Sequence, residues 1–131
     1  MLVVDANVVA HALVEGDRTE QARKLWEYDP DWRAPRLLIY ELTNVFAQLV
    51  RQQALTLEAA SAALQNGAAL VEVLAEEPPA VRTLQIAASL RISAYDASYL
   101  AAAEIVGVPL VTEDRRLLRA APEITRSLSG S

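Results

Sequence analysis

Short apolar runs alternate with longer segments of helical periodicity along the whole chain. The runs LVV (2–4), VEVL (71–74) and VPLVT (108–112) have the length and composition of buried strands, and ITRSL (124–128) is predicted to be a last, edge strand. The proline-flanked segment DPDWRAP (29–35) is predicted to be a connection that contains a short edge strand. Strands that alternate with helices predict an α/β domain with a mostly parallel sheet, covered by helices on both faces.

The segments between these runs carry helix signals. The strongest is LLIYELTNVFAQLVRQQ (37–53), where apolar side chains recur at helical spacing. The helix after residue 56 is expected to stop near Asn66 and Gly67, and Gly107 is expected to end the helix before the strand at 108–112. The candidate N-caps are Thr19, Thr56 and Ser93.

The composition limits the chemistry that the chain can perform. The 131 residues fit one domain, predicted over 1–128 with a flexible tail at 129–131, and 53% hydrophobic residues suffice for a core. The absence of cysteine excludes disulfides, cysteine-type zinc sites and thiol catalysis. His11 is the only histidine and Lys24 the only lysine, so a histidine-rich metal site is excluded and a Ser-His-Asp hydrolase is disfavoured. Carboxylates, hydroxyls, amides and arginines remain.

The charge and hydropathy patterns bear on partners and location. A formal net charge of −5 disfavours a general nucleic-acid binder, which usually has a basic face. No apolar run approaches the roughly 20 residues that span a bilayer, and no signal peptide precedes the first strand, so a cytoplasmic protein without membrane contact is expected.

Four acids stand at the edges of these elements. Asp5 ends the first strand, and Asp114 follows the strand VPLVT by two residues. Asp96 lies in the first turn of a helix, and Glu41 borders the apolar stripe of its own helix. Because ligand sites in parallel sheets gather beyond the carboxyl ends of the strands, these acids are candidates for one shared site.

Each acid taken alone has an ordinary structural explanation. Asp5 and Asp114 precede helices and could be N-caps, and Asp96 follows Ser93 at the spacing of a capping box. Glu41 could simply be solvated. Taken together, converging carboxylates repel one another unless a cation neutralises them, and Mg²⁺ or Mn²⁺ prefers such oxygen ligands. Ions of this kind can activate a water for phosphodiester hydrolysis, the chemistry that this set of residues supports best.

Four segments in order resemble the acidic motifs of PIN-domain ribonucleases. They are VVDANVV, IYELTNVF, SAYDASYLAAA and LVTEDRRL, and the resemblance runs across the chain to about Leu128. The length and the start at the first strand resemble VapC-type toxins of toxin–antitoxin pairs. The resemblance implies a PIN-like three-layer α/β/α fold and a Mg²⁺- or Mn²⁺-dependent endoribonuclease whose products carry 5′-phosphate and 3′-hydroxyl ends.

The resemblance also implies roles for individual residues. The four acids would bind the metal, with Asp5, Asp96 and Asp114 as the closer ligands and Glu41 holding a water or a second ion. Thr112 would hydrogen-bond within the site and help to orient a water or a carboxylate. The supporting residue Asn7 would steady the first acid, whereas Glu113 is expected to point to solvent.

RNA contacts and partners follow from the same resemblance. Arg115, Arg116 and Arg119 are candidates for phosphate contacts, although a solvated helix face explains them equally well. Two divalent cations would take the net charge from −5 to about −1, which weakens the charge objection. A cognate antitoxin would pack along an apolar groove, which Trp26, Tyr28 and Trp32 could line, and a homodimer is expected.

Rival functions make different demands on the sequence. A receiver domain needs a lysine after a late strand, and a phosphatase of the HAD type needs Asp-x-Asp where this chain has Asp5-Ala6-Asn7. Two alternatives stay open. One is a catalytically silent PIN-like module that binds a protein or RNA, and the other is a PIN nuclease of RNA processing rather than a toxin.

Overall fold

A five-stranded parallel sheet forms the centre of the computed structural model, which describes residues 1–130. All four strand pairs are parallel, and the spatial order is β3-β2-β1-β4-β5. The five strands are β1 (Leu2–Val4), β2 (Trp32–Ala34), β3 (Val71–Val73), β4 (Leu110–Val111) and β5 (Thr125–Arg126). The predicted α/β class with a parallel sheet is confirmed.

Seven helices connect the strands in the described part of the chain. They are α1 (Ala6–Leu13), α2 (Thr19–Tyr28), α3 (Leu37–Arg51), α4 (Leu57–Leu70), α5 (Ala80–Leu90), α6 (Ala94–Val106) and α7 (Arg115–Ala120). Helices α1 to α4 pack on one another, while α5 packs on α6, which also contacts β1 and β4. The result is a three-layer α/β/α sandwich. None of these helices is both long and apolar enough to cross a membrane.

The strand order of the sheet reverses at the central strand, β1. β2 and β3 extend the sheet on one side of β1, and β4 and β5 extend it on the other. The carboxyl ends of β1 and β4 therefore face a topological switch point, where open α/β sheets place their ligands. Val3, Val4 and Val111 are fully buried, and each such side chain stabilises the fold by about 1.5–3 kcal/mol, so these strand ends are held firmly.

The second strand differs from its prediction as an edge strand. β2 lies inside the sheet, between β3 and β1, and its first residue, Trp32, is only 1% exposed. The flanking prolines suggested an edge, but Pro30 and Pro35 both stand outside the hydrogen-bonded residues Trp32–Ala34. Of the aromatic residues considered for an apolar groove, Trp32 belongs to the core, whereas Trp26 and Tyr28 are exposed.

Gly67 does not end its helix as predicted. α4 continues to Leu70, and Gly67 is buried against α1 and α3. A Cβ at this position would lie 2.8 Å from a Leu42 methyl carbon and 2.9 Å from a Leu13 methyl carbon. Gly67 is therefore a point of close approach between helices, whereas Gly107, at φ 79°, ends α6 as predicted.

Two cap predictions are confirmed and one is wrong. Thr56 and Ser93 accept hydrogen bonds from the backbone at the starts of α4 and α6. Thr19 is the first residue of α2 rather than its cap, because its hydroxyl donates to the Val14 carbonyl and accepts from the Gly16 amide. Of the tail predicted at 129–131, Ser131 lies outside the described residues, and its flexibility stays a prediction.

Candidate active site

A cleft of about 410 Å³ opens at the carboxyl ends of β1 and β4. All four predicted acids line it, carried by four different parts of the fold. The lining residues with polar side chains are Asp5, Asn7, Tyr40, Glu41, Asn44, Gln48, Tyr95, Asp96, Tyr99 and Asp114. The structure thus brings the four acids to one place. Their assignment as metal ligands stays a prediction.

Asp5 is held by two hydrogen bonds at the carboxyl end of β1. It is the N-cap of α1, and its Oδ1 accepts from the Val8 amide at 3.0 Å. Its Oδ2 accepts from the Thr112 hydroxyl at 2.6 Å. Burial raises the pKa of Asp5 from 3.8 to about 6 despite these two bonds, and the carboxylates of Glu41 and Asp114 add to the rise. The folded protein therefore disfavours the ionised form of this carboxyl group.

Thr112 connects the two strand-end acids. It is fully buried, and while its hydroxyl donates to Asp5 it accepts from the Asp114 amide at 3.0 Å. The predicted hydrogen bond within the site is thus present. Asp114 in turn caps α7, where its Oδ1 accepts from the Arg116 and Leu117 amides at 2.8 and 3.3 Å. The capping role and the site position of an acid are therefore compatible.

Asp96 enters the cleft from the first turn of α6. Its amide donates to the Ser93 hydroxyl at 3.0 Å, the bond expected for a Ser N-cap. Burial and the nearby Asp114 carboxylate raise the pKa of Asp96, while Ser93 and Arg116 oppose the rise. Asp96 therefore combines a capping-box position with an unfavourably charged environment.

Glu41 has a hydrogen-bond partner that was not predicted from the sequence. The Tyr99 hydroxyl, from α6, donates to Glu41 Oε1 at 2.6 Å, although the two residues are 58 positions apart in sequence. Tyr99 is 2% exposed, and its burial together with Glu41 raises its pKa, so the phenol stays protonated and donates. The spacing Asp96-x-x-Tyr99 places both side chains on one helix face and was the available signal.

Asn7 and Glu113 lie beside the site acids, and Glu113 differs from its prediction. No hydrogen bond joins the Asn7 side chain to Asp5 within residues 1–130; Asn7 is exposed and lines the cleft directly, so its supporting role stays a prediction. Glu113 does not point to solvent. It pairs with Arg18 at 2.8 Å and accepts from the Leu128 amide at 2.6 Å, which ties the loop before α7 to the C-terminal segment.

The three predicted RNA-contacting arginines are all exposed on α7. The charge of Arg116 acts on a site carboxylate, because it opposes the rise in the pKa of Asp96. Phosphate binding by the three arginines stays a prediction. His11, the lone histidine, lies outside the cleft lining.

The four acids determine whether the cleft suits a divalent cation. No three carboxylate or imidazole groups of residues 1–130 are close enough to form a complete set of metal ligands. Mg²⁺ does not need such a set, since it keeps several waters and usually takes only one or two protein carboxylates. All four acids supply oxygen donors, and burial, with a smaller effect of neighbouring carboxylates, raises the pKa values of Asp5 and Asp96. The donor chemistry fits Mg²⁺ or Mn²⁺.

Comparison with known proteins agrees with this architecture. The model of the PIN domain family matches residues 2–123. Ribonuclease VapC3 of Pyrobaculum aerophilum is 31% identical over 126 residues, which cover 94% of this chain and 96% of that protein. Exonuclease VapC9 of the same organism is 39% identical over 82 residues, covering 63% of this chain and 61% of that protein. The latter match thus spans less than two thirds of the relative's length.

Solved structures show the same fold. PAE2754 from Pyrobaculum aerophilum superposes with a TM-score of 0.81 at 28% identity, covering 98% of this chain and 90% of that one. VapC20 of Mycobacterium tuberculosis, described as a sarcin-ricin loop cleaving toxin, gives 0.65 at 22% identity, covering 91% of this chain and 95% of that one. The family model matches most of the chain, one relative matches it over nearly its full length, and the fold is shared. This chain therefore belongs to the PIN domain family and is a protein of the VapC type.

Proposed function

We propose that this protein is a Mg²⁺- or Mn²⁺-dependent endoribonuclease and the toxin of a VapBC-like toxin–antitoxin pair. One observation carries the proposal: Asp5, Glu41, Asp96 and Asp114 line a single cleft at the switch point of the sheet. Nuclease activity is supported by the relatives named ribonuclease VapC3 and exonuclease VapC9.

In the proposed mechanism, Asp5, Asp96 and Asp114 would hold the cation and Glu41 would hold a water or a second ion. A bound Mg²⁺ or Mn²⁺ supplies Lewis-acid activation of water and stabilises the charge that develops on the phosphate. Thr112 keeps the Asp5 carboxylate in one orientation. Tyr99 does the same for Glu41, because its phenol donates to Oε1 and leaves the other carboxylate oxygen available. Arg116 contacts the RNA phosphate beside Asp96.

The proposed partners are RNA, a cognate antitoxin and a second copy of the chain. The relatives that carry the VapC name support the antitoxin, since the four acidic motifs of this chain resemble those of VapC-type toxins of toxin–antitoxin pairs. A cytoplasmic location suits an RNA substrate. RNA processing outside a toxin–antitoxin pair is the alternative role, and a short antitoxin gene beside the gene for this chain would distinguish the two.

Cleavage of a circular RNA pool tests the proposal. Purified protein with Mg²⁺ or Mn²⁺ should linearise circular RNA and leave 5′-phosphate ends, whereas EDTA should abolish the reaction. Circular RNA matters because one relative is named an exonuclease, and an exonuclease cannot cut a circle. Cleavage of linear RNA alone would contradict the endonuclease assignment, and cleavage in EDTA would contradict the metal dependence.

A catalytically silent binding module stays the alternative to the nuclease. Retention of Mn²⁺ binding without cleavage of any RNA pool would support it over the nuclease.

Tyr99→Phe is expected to weaken Mn²⁺ binding and cleavage, each about 10-fold, because Glu41 loses the donor that orients it. The ring remains in the core, so the free energy of unfolding should fall by no more than about 1.5 kcal/mol. Calorimetric titration with Mn²⁺ and urea unfolding measure the two effects. The matched control is Tyr28→Phe, on the exposed end of α2. Unchanged Mn²⁺ affinity in Tyr99→Phe would contradict the orienting role.

A further inference from the structure

Two exposed tyrosines stand beside the site acids. Tyr40 is 71% exposed and directly precedes Glu41 on α3, and Tyr95 is 63% exposed and directly precedes Asp96 on α6. Both line the acidic cleft. Neither ring is used by the core or by the proposed chemistry, so two large aromatic faces are available to a ligand in the cleft.

Amide side chains extend this surface. Tyr40, Asn44 and Gln48 follow one another at intervals of four residues on α3 and therefore form one row along the helix. All three line the cleft and are exposed, as is Asn7 at the start of α1. An amide both donates and accepts hydrogen bonds, which is what the edge of an unpaired nucleobase requires.

This combination matches one chemical class of ligand. Single-stranded nucleic acid is bound by aromatic side chains on which bases stack, together with polar groups that read base edges. A duplex keeps its base faces stacked and offers none to a protein ring. The acids beside the rings repel phosphates unless a divalent cation is bound, so nucleic acid should enter this cleft only with the metal present.

We propose that Tyr40 and Tyr95 are base-stacking positions that hold unpaired nucleotides of RNA beside the phosphate to be cleaved. The inference rests on the proposed nuclease function and adds to it the two residues that bind the unpaired bases of the RNA. Stacking needs the ring and not the hydroxyl, so phenylalanine should replace either tyrosine.

Steady-state kinetics on a pool of random-sequence single-stranded RNA, with Mg²⁺, tests the inference. Tyr40→Ala and Tyr95→Ala are each expected to raise KM about 10-fold and to change kcat less than about threefold. Tyr40→Phe, Tyr95→Phe and the control Leu84→Ala, at an exposed residue of α5 outside the cleft, should match the wild type. Mn²⁺ affinity should be unchanged in all of these variants. Annealing the pool to its complement should suppress cleavage.

Contrary results separate the possibilities. Unchanged KM in both alanine variants would overturn the inference and leave a protein partner as the ligand of these rings. If the phenylalanine variants are as impaired as the alanine variants, the hydroxyl groups bind the RNA and stacking is refuted. If duplex RNA is cleaved as fast as single-stranded RNA, the binding of unpaired nucleotides is refuted.

A protein that cleaves no RNA refutes the proposed function, and the inference is then decided by binding. Fluorescence anisotropy of the labelled pool with Mg²⁺ should show weaker binding in both alanine variants than in the wild type. Absence of RNA binding by the wild type would refute the inference as well.

Discussion

Asp5→Asn is expected to abolish RNA cleavage and to stabilise the metal-free protein at neutral pH. The loss of activity should be about 1,000-fold, because the substitution removes a proposed metal ligand, and a bound cation would supply several kcal/mol of charge stabilisation. The fold should tolerate the change well, since Asn caps a helix as effectively as Asp. Val8 can still donate to the Oδ1 atom, and the Thr112 hydroxyl can accept from the new amide.

The stabilisation follows from the raised pKa of Asp5. In the unfolded chain this carboxyl ionises near 3.8, whereas in the folded protein it ionises at about 6. Below the lower value both states are protonated, and the ionisation of Asp5 has no effect on stability. As pH rises from about 4 through about 6, the ionisation of Asp5 lowers the free energy of unfolding by up to about 3 kcal/mol. The advantage of Asp5→Asn should therefore grow from near zero at pH 4 to about 1–3 kcal/mol at neutral pH.

Urea unfolding in EDTA at several pH values measures this advantage. The control is Asp17→Asn, an exposed residue outside the cleft, which should change the unfolding free energy by less than about 0.5 kcal/mol at every pH. Adding Mg²⁺ should stabilise the wild type and not Asp5→Asn, because only the former binds the ion tightly. A wild type and an Asp5→Asn variant of equal stability at neutral pH would contradict this account.

Thr112→Val is expected to reduce both activity and stability. Valine fills nearly the same volume, but Asp5 loses a donor and the Asp114 amide loses an acceptor, at a fully buried position. The unsatisfied groups should lower the unfolding free energy by about 1–3 kcal/mol, and cleavage should fall about 10- to 100-fold. Because the Thr112 hydrogen bond lowers the pKa of Asp5, its removal should raise that pKa further.

The pH profile distinguishes this effect from simple destabilisation. Protons and metal compete for the same carboxylate, so at subsaturating Mg²⁺ the acid limb of the cleavage profile should move to higher pH in Thr112→Val. Thr112→Ser keeps the hydroxyl and should restore the wild-type profile despite the lost methyl group. A Thr112→Val protein with an unshifted profile would show that the hydroxyl does not tune the acid.

Local patterns were sufficient to predict most of the fold. The apolar runs and the caps at Thr56 and Ser93 were confirmed because they depend on neighbouring residues alone. The interior position of β2 and the continuation of α4 through Gly67 depend on tertiary packing. Gly67 lies where a Cβ would meet side chains of α1 and α3, and no local signal separates that role from a helix stop.

The same distinction applies to the site. The sequence predicted that four acids would share a cleft because strand ends of a parallel sheet converge, and the cleft contains all four. The pairs Tyr99–Glu41 and Arg18–Glu113 join residues 58 and 95 positions apart, so no local pattern shows either contact. The spacing Asp96-x-x-Tyr99 indicates only that the tyrosine shares a helix face with a site acid. That the exposed tyrosines beside Glu41 and Asp96 line the same cleft likewise depends on the three-dimensional fold.

Diffraction from crystals soaked in Mn²⁺ tests the central claim most directly, because the anomalous signal locates the ion without assumptions about ligands. If the four acids bind the ion, a peak should lie within the cleft with an Asp5 carboxylate oxygen at about 2.0–2.6 Å, and Asp5→Asn crystals should show no peak there. An active wild-type protein whose crystals at saturating Mn²⁺ show no ion in the cleft would contradict the four-acid site.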